Sequence, residues 1–89
     1  MTQEETYKLL VDKRCKEYEW TLSNHVRHVM ISLLMTRDNV WVGGNFVQSV
    51  LKNNLGDAVR GADDEIVNYL KHMVIARDNF YVEQLKYEI

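Results

Sequence analysis

The side chains that could do chemistry are few, and they form no recognised signature. His25 and His28 are three residues apart, a spacing that places two imidazoles near one face of a helix, where Cys15 or His72 could add a third metal ligand. No CxxC, HExxH or second paired-ligand motif accompanies them, so two solvated histidines beside Arg27 are the simpler interpretation. We predict no metal site and no cofactor.

Catalytic motifs are equally sparse. The single cysteine belongs to no compact Cys/His/Asp signature, and the chain has no GxSxG motif and no phosphate-binding glycine loop. The pair Gly43-Gly44 precedes a predicted helix, whose N-terminus could bind an anion, but a turn in which glycine can take a positive φ explains the pair. The sequence therefore predicts no catalytic residue and no enzyme activity.

The composition limits how many domains the chain can form and which classes of partner it can bind. The chain has 89 residues, of which 46% are hydrophobic and 27% charged, and this predicts one folded domain over residues 1–89. A formal charge of -2 disfavours generic binding of nucleic acid. The lone cysteine, the polar and acidic N-terminus and the short apolar runs predict a cytoplasmic protein with no internal disulfide, no signal peptide and no membrane helix.

Hydrophobic periodicity predicts an all-α fold, a small bundle of about four helices in which the third is short. Thr2 and Glu5 have the spacing of a capping box, which begins the first helix within an N-terminal extension over residues 1–20. A break over residues 20–24 separates this extension from a core over residues 21–85. The second helix begins at His25 and carries a broad apolar stripe, formed by Val26, Val29, Met30, Leu33 and Leu34.

The second half of the core is predicted from its capping residues. Asn45 and Gln48 resemble a capping box that begins the third helix, and Gly56 should end it in the left-handed conformation. A helical turn should follow over residues 57–61. The carboxylates of residues 63–65 then favour the start of a last helix, which should extend to about Leu85.

An internal echo links the two strongest helices. Residues 35–42 align with residues 75–82 at an offset of forty, with four identities in eight positions. Convergence on a common helix ending explains this, because Arg favours helix C-termini and Asn tolerates the left-handed conformation. The functional alternative is that matched helix ends present aromatic and arginine residues to a partner. The candidate partner-binding residues are Arg37, Trp41, Arg77 and Tyr81, with Trp20 added as a further aromatic.

The chain has more amphipathic aromatic side chains than a small core readily buries, and such rings suit interfaces. They are Tyr7, Tyr18, Trp20, Trp41, Tyr81 and Tyr87. We therefore expect a protein partner. We also expect a homodimer that docks the N-terminal helices, because that helix has a thin apolar face and symmetric dimers are the commonest oligomers.

One segment resembles a group of short, uncharacterised bacteriophage and prophage proteins. Residues 42–59 read VGGNFVQSVLKNNLGDAV and are followed by Ala62-Asp63-Asp64-Glu65. The group has a glycine pair, an apolar segment ending in Asn-Asp-Leu, and Ala-Asp before a last helix; this chain has Asn54 where the usual acid stands. The resemblance covers residues 21–80 approximately, and it implies provenance, not an activity or a functional residue.

The sequence thus predicts a non-enzymatic phage-type accessory protein in the host cytoplasm, which binds a host or phage protein and modulates it, with host defence as one candidate target. The alternative is a small DNA-binding regulator of helix-turn-helix type, with residues 57–65 as its recognition segment. That segment holds Arg60 as its only base beside four acidic residues, which would repel DNA phosphates. Nucleic acid is therefore the less favoured partner.

Overall fold

The fold is helical throughout the part that the computed structural model describes, residues 2–87 with the side chain of Tyr87 excepted. The elements are α1 (Gln3–Tyr18), α2 (Asn24–Arg37), α3 (Asn45–Leu51), α4 (Leu55–Gly61), α5 (Asp64–Asn68), α6 (Leu70–Asn79) and a C-terminal 3₁₀ helix (Val82–Tyr87). The all-α prediction is confirmed. The expected number of about four helices is only roughly matched, since the described residues form six α-helices.

The first two helices follow their capping signals. The Thr2 hydroxyl accepts a hydrogen bond from the Glu5 N–H at 3.2 Å, and the Glu5 carboxylate accepts one from the Thr2 N–H at 3.4 Å, so the predicted capping box is confirmed. Helix α1 ends at Tyr18, and its C-cap, Glu19, takes the left-handed conformation with φ 59°. The hydroxyl of Ser23 then caps α2 by accepting from the Val26 N–H at 3.3 Å. The predicted break between the helices is confirmed.

The start of α3 differs from the predicted capping box. Gly44 is the N-cap and makes no side-chain cap, while Asn45 is already the first helical residue. The side chain of Gln48 instead donates to the Gly43 carbonyl at 3.5 Å. The prediction of an Asn45/Gln48 capping box is therefore wrong, because the chain enters the helix one residue earlier than the Asn side chain requires.

The predicted third helix is divided in two. It ends at Leu51, and Asn53 takes the left-handed conformation with φ 59°, the role that was predicted for Gly56. The side chain of Asn54 then caps α4 by accepting from the Asp57 N–H at 3.3 Å, so Gly56 lies in the first turn of α4. The prediction that Gly56 ends the helix is wrong, because Asn53 takes the left-handed conformation and Asn54 caps the next helix.

The last predicted helix is also interrupted. Its acidic start is confirmed, since the Asp63 carboxylate caps α5 by accepting from the Ile66 N–H at 2.9 Å. The helix is interrupted at Tyr69, with φ −110° and ψ 14°, and α6 ends before Phe80, which is extended and fully buried. The prediction of one helix extending to Leu85 is wrong, because the chain turns at Phe80 to place this ring in the core.

One hydrophobic cluster joins all the elements, and α2 lies at its centre, in contact with α1, α3 and α6. The predicted N-terminal extension packs into this same cluster through Tyr7, Leu10 and Val11. The largest fully buried side chains are Leu10, Val11, Val26, Met30, Leu33, Leu34, Val50, Met73 and Phe80. Within residues 2–87, no helix has the length and apolar character that a bilayer crossing needs.

No glycine in the described range has a positive φ, so backbone conformation does not explain Gly43. Gly43 is instead required because a side chain at this position would clash with its neighbours. A Cβ atom on Gly43 would lie 2.8 Å from Thr36 Oγ1 and 2.9 Å from Val47 Cγ1, and both of these side chains are buried. The glycine therefore allows the α2–α3 connection to approach α2 closely.

We predict that Gly43→Ala lowers the free energy of unfolding by about 1–3 kcal/mol, the usual cost of overpacking. Because this domain is small, the melting temperature should fall by about 4–8 °C for each kcal/mol. Gly61→Ala is the matched control, since no atom lies within 4 Å of its added Cβ. Thermal melts followed by circular dichroism measure both changes, and equal melting temperatures for the two variants would contradict the prediction.

Candidate functional site

The C-terminal end of α2 is joined to that of α6 by one arginine. Arg37 forms a two-pronged ion pair with the adjacent Asp38, with Nε 2.8 Å from Oδ1 and Nη2 3.0 Å from Oδ2. Its Nη1 donates to the carbonyl of Arg77 at 2.9 Å and to that of Ala76 at 3.5 Å. The last carbonyls of a helix lack intrahelical donors, so Arg37 caps α6 from outside.

Arg77 repeats the arrangement at the next helix end. Its Nε lies 2.8 Å from Asp78 Oδ1 and its Nη2 3.2 Å from Oδ2, while Nη1 donates to the Val50 carbonyl at 2.7 Å and to Asn53 Oδ1 at 3.2 Å. Arg77 therefore caps α3. We call Arg37–Asp38 and Arg77–Asp78 the arginine clamps. The internal echo in the sequence thus corresponds to one helix-end clamp used twice.

Tyr7 attaches α1 to the first clamp. Its hydroxyl donates to Asp38 Oδ2 at 2.7 Å. Burial, together with this hydrogen bond, raises the pKa of Tyr7 well above its usual range. Burial also acts to raise the pKa of Asp38, but hydrogen bonds from Arg37 and Tyr7 outweigh it, so the pKa of Asp38 is lowered and the carboxyl stays ionised.

Exposed aromatic side chains lie four residues beyond each clamp arginine, at Trp41 and Tyr81. Trp41 is 56% exposed and Val42 is 82% exposed, on the connection between α2 and α3. Tyr81 is 41% exposed, and its ring centroid lies 4.3 Å from Arg37 Cζ, a cation–π contact that covers one face of the guanidinium. Trp41 and Val42 therefore form the projecting apolar part of this end of the molecule.

An apolar cavity of about 180 Å³ lies on one side of Trp41, where α1 faces α2. Ile31 and Met35, both buried, belong to its lining with the Trp41 indole. The other lining residues are polar or charged: Glu4, Lys8, His28 and Ser32. The recess therefore combines three apolar side chains with four polar or charged ones, and it is smaller than most ligand pockets.

A second recess, which we call the arginine groove, is also lined by Trp41 and has a volume of about 420 Å³. Both clamp arginines line it, and no carboxylate does. The full lining is Thr36, Arg37, Asn39, Trp41, Val42, Gln48, Leu51 and Arg77. Trp41 therefore lines both the apolar cavity and a recess rich in hydrogen-bond donors.

The fifth predicted partner-binding residue lies in a different cluster. The Trp20 ring stacks on Tyr18 at 4.9 Å between centroids and contacts His72 at 4.6 Å and Phe80 at 5.7 Å. Burial lowers the pKa of His72, which favours a neutral imidazole here. The structure thus gathers Arg37, Trp41 and Arg77 around one groove and places Tyr81 on Arg37, whereas Trp20 packs the end of α1 against α6.

The two histidines that suggested a metal site have different surroundings. His25 Nε2 lies 2.8 Å from Asp63 Oδ2, the cap of α5, whereas His28 borders the apolar cavity. In residues 2–87, no three His, Cys, Asp or Glu side chains are grouped closely enough to hold a metal ion.

Cys15 is not in an environment that activates a thiol. Burial, with a smaller contribution from Asp12, raises the pKa of Cys15 to about 11. A nucleophilic cysteine needs the opposite shift, because the thiolate is the reactive form.

The segment proposed for DNA recognition is not one helix. Helix α4 ends at Gly61 and α5 begins at Asp64, so residues 57–65 span a helix end, a gap and a helix start. Arg60 forms an ion pair with Asp57 within α4. The one basic side chain of residues 57–65 is therefore already paired with an acid.

Several residues of the site were not identified from the sequence. Val42, Ile31, Met35 and Asp38 are not among the partner-binding residues predicted above. The apolar run around Trp41, bounded by Asn39 and the two glycines, is the signal that could have indicated Val42 as an exposed contact.

The fold and the site define an all-helical domain with an apolar projection beside two recesses. Comparison with family models, with curated proteins and with solved structures finds no match to this chain.

We predict that Arg77→Lys destabilises the protein by about 1–3 kcal/mol, because an ammonium cannot pair with Asp78 by two bonds and cap α3 at the same time. Arg60→Lys is the control; its side chain is 73% exposed and pairs only across one helical turn, so the change should stay within about 0.5 kcal/mol. Urea denaturation measures both. An Arg77→Lys protein as stable as the Arg60→Lys protein would show that the clamp contributes little.

We further predict that Cys15 in the folded protein reacts with Ellman's reagent at least about a hundred times more slowly at pH 8 than in urea, where a pKa near 8.5 applies. With a pKa of about 11 the thiolate fraction at pH 8 is about a thousandth, and the rate should rise about tenfold per pH unit until the pH approaches this pKa. Stopped-flow absorbance measures the rates. A folded-state rate close to that in urea would mean that the thiol is not protected.

Proposed function

We propose that this protein is a non-enzymatic binding protein that docks a partner protein through the Trp41 face, defined as Trp41, Val42, the apolar cavity and the arginine groove. The observation that carries the proposal is the 82% exposure of Val42 beside the 56% exposure of Trp41. A projecting tryptophan next to a recess is the arrangement of an interface anchor, since tryptophan and arginine dominate the binding energy of interfaces.

The rigid support of Trp41 strengthens the proposal. The connection that carries Trp41 begins at the Arg37–Asp38 clamp and ends at Gly43, which is held closely against α2. An anchor that is already ordered loses little conformational entropy when a partner binds. The two ends of the connection are held in this way, which limits the backbone positions open to Trp41 and Val42.

A heterologous partner fits the packing of α1 better than self-association does. On α1, the side chains of Tyr7, Leu10 and Val11 are buried within its own chain, whereas Leu9 and Tyr18 are exposed. The homodimer expected from the sequence would dock these helices; it would cover Leu9 and Tyr18 but not the three buried side chains, and it stays a prediction. We propose instead that the partner is a different protein.

The biological setting remains the one that the sequence resemblance suggests. We propose a phage-type accessory protein that binds a host or phage protein and modulates it, with host defence as one candidate process. A free and poorly ionised Cys15 accords with a reducing compartment, which for such a protein is the host cytoplasm.

The test is affinity capture from bacterial lysate with a matched set of variants, in nuclease and at moderate salt. Tagged wild type should retain a stoichiometric protein, and Trp41→Ala and Val42→Asp should lose it, because truncating an anchor residue costs about 2 kcal/mol or more, roughly 30-fold in Kd. Val59→Asp is the control, since Val59 is also an exposed valine but lies on α4, outside both recesses.

Circular dichroism of each variant establishes that it is folded. Retention of the same protein by Val42→Asp would contradict the assigned face. Recovery of only salt-labile nucleic acid would contradict the class and favour the DNA-binding regulator.

A further inference from the structure

His72 has a buried nitrogen that the fold leaves unpaired. Its Nδ1 atom is inaccessible to solvent and has no hydrogen-bond partner among the described residues. The imidazole contacts the Trp20 indole, with 4.6 Å between ring centroids, and the Tyr69 ring, with 4.9 Å. Aromatic contacts therefore hold this histidine in place, and a hydrogen bond at Nδ1 does not contribute.

These contacts join the beginning of the α1–α2 connection to α6. Trp20 belongs to the connection, and its ring stacks on Tyr18 of α1 and lies 5.7 Å from the ring of Phe80, between centroids. Phe80 is fully buried and follows α6 directly. We call Tyr18, Trp20, Tyr69, His72 and Phe80 the aromatic latch, because these rings attach the end of α1 to α6.

Proton uptake by His72 is unfavourable in these surroundings. A neutral imidazole with its proton on Nε2 leaves only an acceptor at Nδ1, whereas an imidazolium has a donor at both nitrogens. Protonation would therefore place a charged N–H group where neither water nor a described residue accepts its hydrogen bond, which costs free energy. Burial, and to a smaller extent the charge of Lys71, accordingly lower the pKa of His72.

The groups that face His72 from the packed elements do not compensate for the added charge. Trp20 from the connection is uncharged, and so are the phenols of Tyr18 from α1 and Tyr69 from the α5–α6 junction at mildly acidic pH. Lys71, the neighbour on α6, repels an imidazolium. Within the described part of the chain, no carboxylate acts on the titration of His72.

We propose that the aromatic latch opens on acidification: a proton taken up by His72 releases Trp20 from α6 and frees the end of α1 and the α1–α2 connection. The open form has the ordinary histidine pKa of about 6.5, and the closed form has a lower pKa. The open form thus binds a proton more strongly, so the closed latch is favoured above about pH 6.5 and weakens as the pH falls from there toward the lower pKa of the closed form. No latch residue lines the two recesses beside Trp41, so opening does not require the function proposed for that face.

Other contacts keep the rest of α1 on the bundle. Arg27 of α2 donates two hydrogen bonds to the Asp12 carboxylate, at 2.8 and 3.0 Å. The Tyr7 hydroxyl donates to Asp38, whose lowered pKa keeps it ionised at mildly acidic pH. Opening is therefore confined to the last turn of α1 and the connection that follows it.

Two-dimensional NMR of the imidazole protons measures the titration of His72 in the wild-type protein, and the spectrum of His72→Phe assigns the resonance. The pKa of His72 in the folded protein should be lower than in urea by about 0.5 or more, because burial disfavours the charged ring. A cation–π attraction to the Trp20 or Tyr69 ring would act in the opposite direction. A folded-state pKa equal to or above that in urea would therefore overturn the proposal.

Hydrogen exchange of the Trp20 amide measures the opening, since this N–H donates to the Cys15 carbonyl at 2.8 Å at the end of α1. Its protection factor should fall about three- to tenfold between about pH 7.5 and pH 5.5, because one pH unit below a pKa of about 6.5 the protonated open form outnumbers the neutral one about tenfold. Low urea should change this exchange little, because a local opening exposes little surface, whereas urea should speed the exchange of α2 core amides through global unfolding.

His72→Phe keeps a ring against Trp20 and Tyr69 but cannot titrate, so its Trp20 protection factor should change by less than about twofold over the same pH range. His28→Gln is the matched control, because His28 is exposed on α2 and outside the latch, and it should show the wild-type fall. If His72→Phe does not fold, His72→Gln takes its place.

Two results of the exchange experiment would overturn the proposal. A wild-type fall that persists without the His72 imidazole would assign the pH effect to another group. Trp20 and α2 core amides with the same protection factor and the same urea dependence would show that His72 acts on the whole fold, without a separate opening of the latch.

Discussion

The last carbonyl groups of an α-helix have no intrahelical donors, and in this protein two arginines supply donors from neighbouring helices. Arg37 extends from α2 to the end of α6, and Arg77 extends from α6 to the end of α3. Each guanidinium is oriented by the aspartate that follows it, and the Tyr7 hydroxyl joins α1 to the first of these aspartates. Three helix C-termini are therefore fixed at one end of the molecule, and the connections that leave them start from defined positions.

This constraint explains why the exposed residues lie where they do. The chain leaves the Arg37–Asp38 clamp and returns to α3 through the close contact at Gly43, and Trp41 and Val42 are exposed on the short connection between these points. After the second clamp, Phe80 enters the core and Tyr81 stacks on Arg37. The repeated sequence pattern thus places an exposed Trp41 after the first clamp, whereas after the second clamp it places Tyr81 against the Arg37 guanidinium.

The perturbed titratable groups of the protein have structural explanations. Burial protects the Cys15 thiol and the Tyr7 hydroxyl in their neutral forms, and hydrogen bonds from arginine hold Asp38 and Asp78 ionised. Such shifts stabilise packing and helix ends, whereas a catalytic group needs a reactive form to be populated near neutral pH. A function based on the shape and apolar character of the Trp41 face requires none of these groups to change protonation.

Local sequence signals predicted the features that act within about one helical turn: the Thr2/Glu5 capping box, the break before α2 and the acidic cap of α5. The sequence also indicated the all-α class, because helical periodicity is local, and it detected the repeated helix ending. The role of that ending depends on long-range packing, since each arginine bonds to groups 24 to 40 residues away. The same holds for the kink at Tyr69, the docking of α1 and the exposure of Val42, which depend on neighbours that are distant in sequence and that no local pattern identifies.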